Sequence, residues 1–203
     1  MRISKGDIFE RVFINEEVNL QIDQEAGSHV KIHVINASFS ITVNQLGEGC
    51  RTEIYGLENL HGDEQVTAET HVTHAVGGGT SNQLIKFVLA DNSRGRFIGD
   101  LKIAQDAQKT EAHQTNRNLL LSEQAEMRTQ PQLEIYADDV KATHGASTGQ
   151  LDESALFYMQ QRGIDKQKAR QLLVNAFMKD VLATISDETL REQLLNSVDG
   201  EIE

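Results

Sequence analysis

One cysteine, one proline and no tryptophan occur in the 203 residues. A lone Cys50 cannot close an internal disulfide, and no CxxC or Cys/His zinc spacing accompanies it. A disulfide framework and a structural zinc site are therefore excluded, and a reducing, cytoplasmic compartment is the natural reading. Cations are also scarce: 19 Lys and Arg face 31 Asp and Glu, a formal charge of −12. Such a balance repels phosphate backbones and anionic lipid surfaces, so neither nucleic acid nor membrane is an expected partner. No segment approaches the roughly 18 consecutive apolar residues of a membrane span. The opening MRISKGDIFERVFINEEVN carries acidic residues where a signal peptide needs an apolar run. What is present, 38% hydrophobic and 25% charged residues, is ordinary globular composition. The length suits one large unit with a small appendage.

Two periods divide the chain. Over residues 30–121, apolar and polar residues alternate in short stretches at 31–35, 38–43, 51–57, 65–72, 82–89 and 96–103. A period of two predicts strands. Breaks such as Gly47-Glu48-Gly49, Gly62-Asp63, Gly77-Gly78-Gly79 and Asp91-Asn92-Ser93 suit turns. The stretches fit no single strict repeat, so periodicity leaves a sandwich, a barrel and a β-solenoid open.

After Gly149 the period changes to that of helices. Asp152 predicts the cap of a helix with Ala155, Leu156 and Met159 on one face, ended by Gly163. Asp165 predicts a second cap, followed by a stripe of Ala169, Leu172, Leu173, Ala176, Phe177 and Val181. Ser186 opens a third helix whose face runs through Leu190, Leu194 and Leu195 toward Val198, leaving an acidic tail at 199–203. The expected domains are thus a β body over 1–150 and a helical region over 151–203.

Few residues carry chemical promise by themselves. Gly77-Gly78-Gly79 lacks the Gly-Lys-Ser/Thr of a phosphate-binding loop, so it reads as a plain loop and ATP chemistry is not expected of this chain. His71 and His74, three apart in a strand, face opposite sides and read as solvent-facing histidines. Asp138-Asp139 and Asp152-Glu153 are adjacent and diverge, which does not support acid–base catalysis. His144, in Lys141-Ala142-Thr143-His144-Gly145, reads as a turn residue, and its imidazole is the one candidate for contact with iron. Phe157, Tyr158 and Arg162 add aromatic and guanidinium anchors to the first helix beyond its apolar face. Such residues either dock the helix on the β body or bind a partner.

The segment LEIYADDVKATHGASTGQLDESALFYMQQRG at 133–163, with FIGDLKIAQDAQKTEAHQTNRNLLLS before it and QLLVNAFMKDVL after it, resembles the SufB/SufD family of iron–sulfur cluster assembly scaffolds. The resemblance is densest over 84–182. It implies a right-handed parallel β-helix with a C-terminal α-helical appendage, and it identifies no counterpart of the N-terminal helical region of full-length relatives. SufD-type members carry a Cys two residues before the His, where this chain has Ala142. SufB-type members carry Glu after that His and an upstream Cys, whereas here Gly145 follows and 126–131 contains no Cys. The resemblance is therefore to the SufD side. It implies a non-catalytic scaffold paired with a SufB-type subunit or an identical chain, and a SufC-type ABC ATPase on the C-terminal helices, where Phe157, Tyr158, Arg162 and Gly163 match FYxxxRGI.

In that reading His144 lies near the subunit junction. Since one His and a distant Cys50 do not hold a cluster alone, any cluster is transient and shared with a partner. Two other classes remain: a carbohydrate-acting β-helix enzyme, disfavoured by zero Trp and three Tyr, and a mononuclear metal protein using Glu69, His71 and His74.

Overall fold

A computed structural model describes residues 1–200. Twelve strands alternate between two parallel sheets. Sheet A holds β1 (Arg2–Ile3), β3 (Val18–Gln24), β5 (Phe39–Gln45), β7 (Gln65–His74), β9 (Arg94–Ile103) and β11 (Glu126–Ile135). Sheet B holds β2 (Ile8–Ile14), β4 (His29–Ile35), β6 (Arg51–Leu60), β8 (Thr80–Leu89), β10 (Glu111–Leu120) and β12 (Lys141–Gly149). Each strand of one sheet is followed by a strand of the other, so the chain winds as a parallel β-helix, the architecture the resemblance implies. Three helices follow: α1 (Glu153–Gln161), α2 (Lys166–Leu182) and α3 (Glu188–Gly200). The acidic tail expected at 199–203 lies, from Glu201 on, outside the described residues, as does the side chain of Val198.

The coil length grows along the solenoid, which is why no strict repeat is legible in the sequence. The stretch of chain from Val18 to its register partner Phe39 is shorter than that from Gln65 to its partner Arg94. One corner marks every coil. Gly6, Gly27, Gly49, Gly78 and Lys109 all have positive φ, and each step between successive members is longer than the one before. Their N–H groups donate to the next coil, at Ala26, Glu48, Gly77, Gln108 and Asp139 respectively. All but Lys109 are glycine because the left-handed region costs glycine nothing. Strands were legible between 31 and 103, and the stretch from Leu133, at the end of β11, reads as β-like; β1 to β3, β10 and β12 were not assigned.

Two cores form. Inside the solenoid, Ile22, Ile32, Ile41, Ile54, Phe87, Phe97 and Leu101 interdigitate between the sheets. Outside, the C-terminal half of sheet B is covered by the helices, where Ile35, Tyr55, Leu57, Val88 and Leu119 meet Val174, Met178, Val181, Leu182 and Ile185. This is why β6 is buried along most of its length on both faces. The helical region is therefore packed on the body.

The helical expectations hold at their caps and fail in part along their faces. Asp152 accepts from the N–H of Ser154 and Ala155, and Asp165 from that of Lys168. On α2, however, Leu172 and Ala176 face solvent while Gln171 and Asn175 are buried beside Val174 and Met178. Polar residues on the buried face disguised its true orientation. For α3, Asp187 accepts from the N–H of Leu190, while the Ser186 hydroxyl accepts from Lys31 Nζ at 2.7 Å. Ser186 is thus a docking residue and not the cap.

His71 and His74 do face opposite sides, but His74 is fully buried and not solvent-facing. Its Nε2 shares a hydrogen bond with Ser81 Oγ at 2.8 Å, and burial depresses its pKa to about 4. On the outer side, His71 Nδ1 lies 2.7 Å from Asp100 Oδ2.

Candidate partner-binding site at the open end of the solenoid

β11 and β12 each occupy the last position of their sheet, at the same end of the solenoid. Among the described residues their outer edges are unpaired, and no further coil covers their inward-facing side chains. Met127, Leu133, Val140 and Ala142 pack on the interior core yet stay partly exposed. Ile135 and Tyr136 are 42% and 58% exposed. An open edge with apolar residues is a template for strand pairing. Pro131, the only proline, sits on β11, and an edge strand is where its missing N–H is tolerated.

The last coil is anchored from beneath. Asn118 Nδ2 donates to Ser147 O and Thr148 Oγ1, both at 3.1 Å. His113 Nδ1 lies 2.8 Å from Thr143 Oγ1. Asn116 and Asn118 exchange amide hydrogen bonds at 3.0 and 2.7 Å. These contacts hold β12 as an ordered strand despite its exposure.

His144 is placed by this strand and not by a turn: His144-Gly145 lies mid-β12, within an unbroken ladder to β10. The expectation of a turn is thereby corrected. It failed because Gly145 and Gly149 are disfavoured in strands and this exposed stretch has no apolar alternation to mark one without the preceding coil to pair with. His144 is in register with Gln114 and, one coil below, Gln83. Both glutamines point into the interior, with Gln114 Nε2 donating to Gln83 Oε1 at 3.4 Å. The imidazole therefore stands at the mouth of the solenoid, exposed, above a polar column.

Cys50 does not join it. Its thiol is 1% exposed and donates to Gly47 O and Glu25 O, both at 3.1 Å. β8 and β10 lie between β6, which Cys50 precedes, and β12, a separation of about 14 Å at ~4.8 Å per strand. Among the described residues, no group of three or more His, Cys, Asp or Glu is placed to hold a metal ion. That also removes the grouping of Glu69, His71 and His74.

A second exposed surface lies on α1. Leu156 is the residue it buries, while Phe157 and Tyr158 are 62% and 56% exposed. Docking of these aromatics on the β body is thereby excluded. The Arg162 guanidinium stacks 4.4 Å from the Tyr158 ring centroid, which pre-orients both side chains. Gly163, at φ 84°, turns the chain out of α1, its N–H donating to Gln160 O at 3.0 Å. Leu172, 38% exposed on α2, is a residue that sequence reasoning assigned to the core.

Residues 16–177 match the family described as SUF system FeS cluster assembly, SufBD core domain. The chain belongs to the SufBD family. It is 37% identical over 186 residues to the iron–sulfur cluster assembly protein SufD of Escherichia coli, covering 90% of this chain and 44% of that one. It is 35% identical over 179 residues to an iron–sulfur cluster assembly SufBD family protein of Synechocystis, covering 87% and 38%. The chloroplastic protein ABCI7 of Arabidopsis thaliana is 32% identical over 185 residues, covering 88% and 39%. The chain is thus SufD-like and spans about two fifths of the length of these relatives. The SufBD match begins well before residue 84, where the sequence motifs become dense. It also runs through α1 and most of α2. No described helix is long and apolar enough to cross a membrane.

Proposed function

We propose that this SufD-like chain is a non-catalytic scaffold subunit of a SUF-type iron–sulfur cluster assembly complex. Its open solenoid end pairs with a SufB-like or identical subunit, and α1 receives a SufC-type ATPase. The observation that carries this is that β11 and β12, whose outer edges are unpaired among the described residues, end both sheets at the same end of the solenoid, with His144 exposed on β12.

An iron–sulfur cluster enters this reading as cargo. One imidazole at the mouth supplies one ligand, and the softer remainder comes from the partner. Motion of the ATPase reaches the junction through α2, whose buried face is locked onto sheet B. The cytoplasm, rich in reducing thiols, is the compartment that suits a buried free Cys50.

Co-purification with a SufB-type protein and a SufC-type ATPase tests the assembly. The intact chain is expected to retain both, and failure to retain either defeats the proposal. Ala146→Asp, on exposed β12, is expected to lower affinity for the SufB-type partner at least ~10-fold by placing a charge in the pairing surface. Retention of the ATPase should be unchanged. Phe157→Ala with Tyr158→Ala is expected to do the reverse, since truncating aromatic anchors typically costs about 2 kcal/mol or more. Equal retention of both partners by both variants would remove these surfaces from the assembly. For the cluster, anaerobic co-expression followed by iron and sulfide analysis of the complex should show reduced content in His144→Ala with assembly intact.

A further inference from the structure

On the outer face of sheet A, away from the helices and from His144, three arginines share one concavity. Arg94 and Arg96 project from β9, and Arg128 from the neighbouring β11. The cavity is about 430 Å³ and is also lined by Gln65, Thr67 and Glu126. Registers fix the array: Gln65, Arg94 and Glu126 form one row, and Thr67, Arg96 and Arg128 the next.

Charge in this array does not balance. Glu126 lies 4.0 Å from Arg94 Nε and 3.9 Å from Arg128 Nη2, beyond hydrogen-bond distance from both. The Arg96 side chain makes no hydrogen bond or ion pair among the described residues. Glu69, the next outward residue along β7, does not reach it. Arg96 and Arg128 are direct register partners on strands about 4.8 Å apart, an arrangement in which like charges repel. Formally the array carries three positive charges and one negative, in a chain whose net charge is −12. Elsewhere on the same face, Lys102 is paired with Glu134 at 3.8 Å and His71 hydrogen-bonds Asp100 at 2.7 Å.

We infer that this concavity binds a phosphate-type dianion. A net excess of two positive charges matches the charge of a phosphate monoester near neutrality. Planar guanidiniums grip such a group through paired N–H···O bonds. The Thr67 hydroxyl and Gln65 amide supply further donors at the rim. The site shares β11 with the pairing edge proposed above but uses outward-facing side chains of that strand and not its unpaired backbone groups or α1, so titration of the chain alone tests it separately from the assembly.

Calorimetric titration of the full chain with inorganic phosphate, and separately with phenyl phosphate, tests the inference. Sodium chloride at matched ionic strength controls for screening. Saturable 1:1 binding with Kd of ~1 mM or tighter is expected. Tighter binding of phenyl phosphate assigns the site to a phosphate ester, and equal binding to free phosphate. Arg96→Gln with Arg128→Gln is expected to weaken binding at least ~10-fold, and Arg96→Lys, which keeps charge but loses the fork, by less. All three positions are exposed, so thermal unfolding in chloride should be unchanged in the variants, while phosphate should raise the midpoint most in the wild type, less in Arg96→Lys and least in the double Gln variant. Absence of saturable binding, equal affinity in the double variant, or tighter binding of an oligoglutamate peptide than of either phosphate probe would overturn the assignment.

Discussion

Asp180→Ala is expected to destabilise the chain by about 2 kcal/mol, although Asp180 is an exposed residue on a surface helix. Its partner explains this. Lys86 is 1% exposed, and its ammonium is met from α2: Asp180 Oδ2 at 2.7 Å, Phe177 O at 2.6 Å and the Phe177 ring at 4.5 Å. Removing the carboxylate leaves a buried ammonium with one carbonyl for a counter-dipole. Stranding one member of a fully buried pair costs about 3–5 kcal/mol, and the figure is reduced here because the Asp180 side chain is 57% exposed and screened by water. The reciprocal change behaves differently. Lys86→Met leaves Asp180 hydrated and fills the same space, so Lys86→Met with Asp180→Ala should lie within about 1 kcal/mol of the wild type. Urea unfolding of the four proteins completes the cycle, and an Asp180→Ala cost below about 0.5 kcal/mol would show that Lys86 is not dependent on this latch.

The second large effect is linked to pH. Glu58 is fully buried inside the solenoid, with Oε2 accepting from Ala37 N–H at 2.8 Å and, among the described residues, no hydrogen-bond partner for Oε1. Burial raises its pKa well above the ordinary 4.5, outweighing the Ala37 bond that acts the other way. The folded chain therefore keeps a proton that the unfolded chain releases above that ordinary value. Stability from this group is intact below it and falls as pH rises toward the folded pKa, by up to about 1.4 kcal/mol per pH unit.

Two histidines act in the opposite sense. Burial holds His74 near 4 and, aided by Lys31, holds His33 near 4 as well. Their stabilisation is lost as pH falls from the unfolded value of 6.5 toward 4. The wild-type profile mixes these slopes, so the Glu58→Gln difference is the informative quantity. Near pH 4 the variant should be the less stable, by about 1–3 kcal/mol, because its amide adds a buried donor without an acceptor. With rising pH the difference should shrink and then reverse. A difference that stays constant from pH 4 to pH 8 would mean that Glu58 is charged in the native state.

How much of this was legible beforehand varies by element. The caps Asp152 and Asp165 and the stop at Gly163 were readable because capping is decided within a single turn of chain. Strands at 31–103 were readable because one buried face imposes alternation. β12 and most of β11 were not, since a last coil buries little and so shows little alternation. The glycine corner was present as a signal, but its spacing lengthens from coil to coil and defeats a fixed-period search. Phe157 and Tyr158 were ambiguous, for an aromatic on a short helix looks the same whether it faces a sheet or water.

By itself, then, the sequence determined the change from strands to helices near Gly149, the helix caps, the lack of a disulfide or zinc framework, and the resemblance that led to SufBD membership. Only the tertiary structure decided that β11 and β12 are both free edges, that His144 stands on a strand at the solenoid mouth, that Lys86 latches α2, and that Arg94 and Arg96 meet Arg128. Each of these depends on residues a full coil or more apart in the chain, brought together by coil stacking and helix docking, and local patterning carries no information about which distant residues become neighbours.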